Sequence, residues 1–157
     1  MKLYYNNIPV FWLIVFITFL NAFALDCSLL KARYLALKED MVYEDLMREA
    51  ESLINLACNR GDKKALRSAD KILQALENIK FPESFGKDEV VVSKRLRRAS
   101  ILLNETQKYS KKYSQLFAYQ LLFYQVAREN YRVGDYEYAL KYSIASYNLG
   151  RAILELR

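Results

Sequence analysis

Residues 133–140 decide the fold of this chain; they read Val133-Gly134-Asp135-Tyr136-Glu137-Tyr138-Ala139-Leu140. Glycine can adopt the left-handed conformation that ends a helix, and an aspartate after it can accept hydrogen bonds from the free amides of the next helix. Gly134 and Asp135 therefore predict an elbow between two helices. The same pair occurs 73 residues earlier as Gly61-Asp62, so the sequence predicts a second elbow there.

The composition also indicates an all-α protein. Of the 157 residues 53% are hydrophobic, and only four are glycine and two proline, too few for the many turns of a β protein. A chain of this length holds one domain and at most one extra segment. It has no histidine, which removes the commonest general base and the commonest metal ligand. Its net charge of +6 permits an anionic partner.

Apolar residues recur at helical spacing in five segments, at residues 29–38, 41–59, 63–80, 88–132 and 136–156. Pro82 ends the third segment, and Asp88 can cap the fourth. A single helix over residues 88–132 would be roughly 68 Å long, too long for this domain, so we expect a break near Asn104-Glu105-Thr106. The predicted fold is an all-α bundle of five or six helices, built from antiparallel helical hairpins and preceded by an N-terminal hydrophobic segment.

That N-terminal segment, residues 1–24, is predicted to be a signal peptide or a membrane anchor in front of a single helical domain, residues 25–157. An apolar run covers residues 10–20, and the small residues Ala22 and Ala24 suit signal-peptidase cleavage after Ala24. The run is short for a bilayer span, which needs roughly 20 apolar residues. An uncleaved anchor that contacts the membrane through residues 8–25 stays open. We expect an exported or membrane-anchored protein.

Cys27 and Cys58 are the only cysteines. In an oxidising compartment they can form a disulfide between the first and second helices, and two unpaired thiols are the alternative. Two cysteines without a histidine cannot complete a tetrahedral zinc site unless carboxylates join them. The sequence therefore predicts no metal site and no cofactor.

The last helix carries small residues at spacings of four, three and four, which would let another helix approach closely; they are Ala139, Ser143, Ser146 and Gly150. Its other face is apolar and aromatic, and it includes Tyr138 and Tyr142. Because both faces can pack, the helix is either central in the bundle or keeps one face for a partner or a second copy of the chain.

Two clusters of cations are candidate anion-binding residues: Lys94, Arg95, Arg97 and Arg98 in the run SKRLRR, then Lys108, Lys111 and Lys112 beside Tyr109 and Tyr113. Phosphates attract such clusters, and cations interleaved with aromatic rings can bind single-stranded nucleic acid. A solvated charged face is the alternative, and a signal peptide argues against nucleic acid.

Residues 73–157 resemble the uncharacterised archaeal family called domain of unknown function 357. The similar features are the run LQALENIKFPE at residues 73–83, a long helix after it, the Gly134-Asp135-Tyr136 elbow with Ala139-Leu140, and a last helix rich in alanine, serine and tyrosine. The resemblance implies a small helical bundle and no assigned activity. The elbow and Ala139 also resemble, more weakly, a tetratricopeptide-type helical hairpin.

The chain contains no glycine-rich phosphate loop, nucleophile elbow or Cys–His pair, so we predict no catalytic residue and no enzyme activity. The function expected is a non-catalytic helical scaffold or protein-binding module, exported or membrane-tethered, with Tyr138, Tyr142 and the basic run as surface contacts. The alternative is a cytosolic helical module that binds RNA or another anionic polymer through its basic helix face.

Overall fold

A computed structural model describes residues 27–81 and 88–157, so residues 1–24 and 8–25, to which the signal peptide and membrane contact are assigned, lie outside the described residues. The described residues form an all-α bundle, which confirms the predicted fold class. The helices are α1 (residues 27–38), α2 (Glu44–Arg60), α3 (Lys63–Lys80), α4 (Glu89–Thr106), a 3-10 turn (Gln107–Tyr109), α5 (Ser114–Arg132) and α6 (Tyr136–Glu155). Among these helices we find none that is both apolar and long enough to span a bilayer.

The elbow between α2 and α3 consists of Gly61 and Asp62. Gly61 has a left-handed backbone with φ 68°, and its N–H donates to the carbonyl of Ala57 at 2.9 Å. The Asp62 carboxylate accepts from the backbone amides of Lys64 and Ala65. One residue thus ends a helix, and the next supplies the acceptor for the amides that open the following helix.

The elbow between α5 and α6 has a fuller set of hydrogen bonds. Gly134 has φ 81°, its N–H donates to the Tyr131 carbonyl at 3.2 Å, and the N–H of Asp135 donates to the Asn130 carbonyl at 2.9 Å. This pair of bonds is a Schellman motif, which satisfies the last carbonyls of α5. The Asp135 carboxylate then accepts from the amide of Tyr138 and begins α6.

The long apolar segment between residues 88 and 132 is broken as expected. Asp88 caps α4 by accepting from the amide of Val90 at 2.8 Å, and α4 ends at Thr106, within the predicted break. The 3-10 turn and residues 110–113 then lead into α5. The break allows α4 and α5 to pack beside the same partner helix, which one continuous helix could not do.

That shared partner is α6, which contacts α3, α4 and α5 and is therefore the central helix of the bundle. Its apolar side places Ala145, Leu149, Ala152 and Ile153 in the main core. Its small residues, Ala139, Ser143, Ser146 and Gly150, are all buried. A Cβ atom on Gly150 would lie 2.7 Å from Leu102 of α4, so the small residues serve close packing inside the chain.

A polar cluster fills the space between α4, α5 and α6. The fully buried Gln120 has its side-chain Oε1 2.8 Å from the Thr106 hydroxyl, and its carbonyl accepts from the Ser146 hydroxyl at 2.9 Å. Its Nε2 has no hydrogen-bond partner among residues 27–81 and 88–157. The single hydroxyl proton of Thr106 also has the Leu102 carbonyl as an acceptor at 3.0 Å. If the side-chain amide of Gln120 is rotated by 180°, its Nε2 donates to the Thr106 hydroxyl, and that hydroxyl donates to the Leu102 carbonyl.

Helix α1 is attached to the bundle by three kinds of interaction. The structure joins Cys27 to Cys58 of α2 in a disulfide, with the two Cα atoms 5.8 Å apart. The apolar side of α1 buries Leu30, Tyr34 and Leu37. The Arg33 guanidinium donates to the Glu77 carboxylate at 2.7 and 2.8 Å and to Asp70 at 2.6 Å. The hydrogen bonds to Glu77 raise the pKa of Arg33 most, so the guanidinium keeps its charge.

Candidate binding surfaces

Four tyrosines meet at the seam where α2, α5 and α6 approach one another. We call this group the tyrosine face; it consists of Tyr43, Tyr119, Tyr138 and Tyr142. Its floor is the fully buried ring of Phe123, whose centroid lies 5.0 Å from that of Tyr43, 5.9 Å from that of Tyr119 and 5.5 Å from that of Tyr142. The contacts of Phe123 with Tyr43 and Tyr142 are edge-to-face, a geometry that is favourable beyond the area it buries.

Within the tyrosine face, the hydroxyls of Tyr43 and Tyr142 lie 3.0 Å apart and share a hydrogen bond. Burial raises the pKa of Tyr43, and the bond to Tyr142 raises it further. Burial and the charge of Asp45 likewise raise the pKa of Tyr119. Both phenols are therefore neutral hydrogen-bonding groups at physiological pH.

The tyrosine face opens to solvent at Tyr138. This ring is 48% exposed and stacks on Tyr142 with the two planes 18° apart. The ammonium of Lys141 lies 4.5 Å from the centre of the Tyr138 ring. Val42, next to Tyr43 in the chain, is 87% exposed. Tyr142 is half-buried, because its ring packs on Phe123 and its hydroxyl is bonded to Tyr43, so Tyr138 is the more solvent-facing of the two tyrosines.

The seven candidate anion-binding residues form what we call the basic surface: Lys94, Arg95, Arg97, Arg98, Lys108, Lys111 and Lys112. All seven are exposed, and none forms an ion pair with an acidic side chain in the part of the chain that the structure describes. Residues 88–113 hold these seven cations and three acidic residues. Most of the net charge of +6 is therefore concentrated in this one segment.

The aromatic residues beside the second cluster are not presented to a ligand as the sequence pattern suggested. Tyr109 and Tyr113 are half-buried against the main core, and the Tyr113 hydroxyl donates to the carbonyl of Leu156 at 2.6 Å. Lys108 and Lys112 lie over these rings, 5.1 and 5.0 Å from their centres. Each ring is therefore half-buried by the fold and lies beneath its own lysine, which leaves less of its surface for stacking a base than an exposed ring would offer.

Exposed aliphatic side chains accompany the first cluster, and the sequence pattern did not single them out. Val90 is 57% exposed and Ile101 is 59% exposed, and both lie on the solvent side of α4 with Lys94 and Arg98. The available signal was their phase, since they lie off the apolar stripe of Val92, Leu96, Ala99 and Leu103, in which Val92 and Ala99 are buried and the two leucines are half-buried. We call this surface the α4 outer face; it comprises Val90, Val91, Lys94, Arg97, Arg98 and Ile101.

A shallow groove of about 340 Å³ adjoins the α4 outer face where α4 meets α6. Arg98 and Ile101 contribute to it from α4, and Tyr147, Arg151 and Leu154 contribute from α6. Two guanidinium groups therefore flank a groove whose lining is partly apolar. Among residues 27–81 and 88–157 no group of three histidine, cysteine or acidic side chains could hold a metal ion.

Comparison with protein-family models, with curated proteins and with solved structures finds no match.

Proposed function

We propose that this chain is a non-catalytic protein-binding module, exported or membrane-tethered through its N-terminal segment, that contacts a partner protein through the tyrosine face. The observation that carries the proposal is the exposed Tyr138 ring, stacked on a tyrosine that the core already holds. Tyrosine is enriched at protein interfaces because its rigid ring loses little conformational entropy on binding, and its hydroxyl can satisfy a polar partner.

The support for a docking role is that the tyrosine face is already ordered before a partner arrives. Phe123 fixes the rings of Tyr43 and Tyr142 from below, and the hydrogen bond between their hydroxyls fixes their orientation. A preformed surface loses less conformational entropy on association than a flexible one. The almost fully exposed Val42 adds an aliphatic contact beside it.

The scaffold that we propose for this face is a pair of antiparallel hairpins, α2–α3 and α5–α6. Each pair is joined through a Gly-Asp elbow, and the two helices of each pair contact one another. In this arrangement α6 would hold the two hairpins together through its contact with α3. The kinship with domain of unknown function 357 and with tetratricopeptide hairpins stays a prediction.

Site-specific photocrosslinking in cells that produce the protein tests the docking role. One chain carries a photoreactive residue in place of Tyr138, and the matched control carries it in place of Tyr124, a tyrosine of α5 outside the tyrosine face. We expect a discrete protein adduct from position 138 that weakens when Val42→Asp is added. Adducts of equal yield from both positions, or no protein adduct at position 138, would contradict the proposal.

The location of the chain is tested by fractionation and by mass spectrometry of its N-terminus. A chain that begins at Leu25 outside the cytoplasm is the result expected for export with cleavage. An intact chain in the membrane fraction is the result expected for tethering. An intact chain in the cytosol would overturn this part of the proposal and would leave the tyrosine-face test unaffected.

A further inference from the structure

The α4 outer face combines exposed cations with exposed aliphatic side chains, and the tyrosine face does not involve it. We propose that the α4 outer face binds an anionic phospholipid surface, with Val90 and Ile101 at the boundary between headgroups and acyl chains and the cations beside the phosphates. This is a second contact, with lipid, and it goes beyond the proposed docking of a partner protein.

The geometry of α4 places both kinds of side chain on one line. Lys94 and Ile101 are two helical turns apart, Val90 lies one turn before Lys94, and Arg98 lies one turn after it. From Val90 to Ile101 the line is about 17 Å long. A helix that presents aliphatic and basic side chains along one exposed face is suited to lie in the plane of a membrane interface.

The cations of this face are available without the loss of an existing interaction. Lys94, Arg97 and Arg98 are exposed and pair with no acidic side chain in the described ranges. Near an anionic leaflet each lysine or arginine raises the affinity about fivefold. Lys108, Lys111 and Lys112 follow the end of α4 and can extend the contact along the membrane surface.

An anionic lipid surface explains more features of the α4 outer face than nucleic acid does. Exposed Val90 and Ile101 gain nothing from a phosphate backbone, whereas the boundary between headgroups and acyl chains accepts them. The tyrosines that could stack bases, Tyr109 and Tyr113, are held against the core.

The adjoining groove adds a place for a single headgroup. Arg98 and Arg151 flank it, and the aliphatic side chains of Leu102 and Leu154 line it, which suits a phosphate joined to an apolar chain. Glu105 also lines the groove, and Arg157 lies 3.8 Å from its carboxylate and offsets its charge.

Photocrosslinking to lipid tests the proposal with the full chain. A photoreactive residue replaces Ile101 in one protein and the exposed Gln125 of α5 in the control, and each is mixed with vesicles below saturating lipid. The vesicles are phosphatidylcholine with phosphatidylglycerol, or phosphatidylcholine alone. All proteins keep residues 1–26, so any attachment through that segment is the same in each. We expect adducts with phosphatidylglycerol from position 101 and few from position 125.

Charge variants then separate a specific surface from general attraction. Lys94→Gln with Arg98→Gln should lower the lipid adduct at position 101 by about 25-fold, at about fivefold for each cation. Arg60→Gln with Lys63→Gln removes the same charge from exposed positions near the first elbow and should leave the adduct unchanged. Circular dichroism and thermal melting of each variant show that the bundle is intact.

Three outcomes would overturn the proposal. The first is an equal loss of adduct in both double variants, which would mean that only net charge matters. The second is an equal yield from phosphatidylcholine vesicles, which would mean that headgroup charge is irrelevant. The third is a single-stranded RNA oligonucleotide that displaces the lipid adduct and crosslinks to position 101 without vesicles, which would assign the surface to nucleic acid.

Discussion

Gly150 of α6 lies directly against the buried side-chain amide of Gln120 in α5. A Cβ atom at position 150 would be 2.5 Å from Nε2 of Gln120, and it would also be 2.7 Å from Cδ2 of Leu102 in α4. No residue that carries a Cβ atom can therefore occupy this position without moving a neighbour. The close approach of α6 to both α4 and α5 depends on the absence of one methyl group.

Gly150→Ala should destabilise the protein although alanine is the better helix former. The gain in helix propensity is about 1 kcal/mol, whereas forcing a methyl group into a filled core costs about 1–3 kcal/mol. Chemical denaturation should show a net loss, and the loss should shrink in a Leu102→Ala background, where the space for the methyl group exists. A Gly150→Ala protein that melts at a higher temperature would contradict the packing described for this helix.

The disulfide between Cys27 and Cys58 should contribute about 3–4 kcal/mol to the free energy of unfolding. It closes a loop between cysteines 31 residues apart, and a loop of that length restricts the unfolded chain by about this amount. Denaturation with and without a reductant measures the difference. The Cys27→Ser, Cys58→Ser double variant should match the reduced protein, and its own stability should not respond to the reductant.

Burial of the Tyr43 phenol, together with its hydrogen bond to Tyr142, predicts a loss of stability at alkaline pH. Folding raises the pKa of Tyr43 above the value near 10 of a solvated tyrosine, so above about pH 10 the unfolded chain loses this proton first and folding is weakened. At neutral pH the free energy of unfolding of the wild type should exceed that of Tyr43→Phe by about 0.5–1.5 kcal/mol. That advantage should shrink as the pH rises above about 10.

Denaturant titrations of both proteins across this pH range provide the measurement for Tyr43. Tyr124→Phe, outside the tyrosine face, is the control for the loss of one phenol. A constant gap between wild type and Tyr43→Phe at every pH would show that the proton of Tyr43 is held no more firmly in the folded chain than in the unfolded one.

Arg33→Gln should cost more stability than Arg67→Gln. The Arg33 side chain is 21% exposed and bonds two carboxylates of α3. Without it, Glu77 would lose its bidentate partner, and Asp70 would keep Lys71 at 3.4 Å. Arg67 is 53% exposed and, within the described part of the chain, pairs only with Glu155. We expect the free energy of unfolding to fall by about 1–2 kcal/mol in Arg33→Gln and by at most about 0.5 kcal/mol in Arg67→Gln. Equal effects by thermal and chemical denaturation would mean that α1 is not held by this cluster.

Much of the architecture could be predicted because it depends on local chemistry. Gly61-Asp62 and Gly134-Asp135 are recognisable without any tertiary information, since left-handed glycine and a capping carboxylate act within a few residues. The break at Thr106 followed from the length that an uninterrupted helix would have reached. The central position of α6 was one of two alternatives predicted from the spacing of its small residues; the other was a face kept for a partner.

The binding surfaces were harder to predict because they depend on contacts between distant residues. The hydroxyls of Tyr43 and Tyr142 meet across 99 residues, and no pattern along the chain shows that they should. Tyr109 and Tyr113 could have lined a basic groove or joined the core, and only the packing decides between these. Val90 and Ile101 were counted as hydrophobic residues, whereas their place on the helix makes them part of the surface.

The disulfide also determines how a mechanical load would enter this bundle. A force applied to the chain before Cys27 is transmitted through the disulfide, because the covalent bond to Cys58 carries it directly into α2. Helix α1 is then bypassed, and its contacts with Asp70 and Glu77 are not peeled away one after another. If the N-terminal segment is fixed in a membrane, the bundle would be suspended from its second helix, and reduction of a single bond would move the point of attachment to the first.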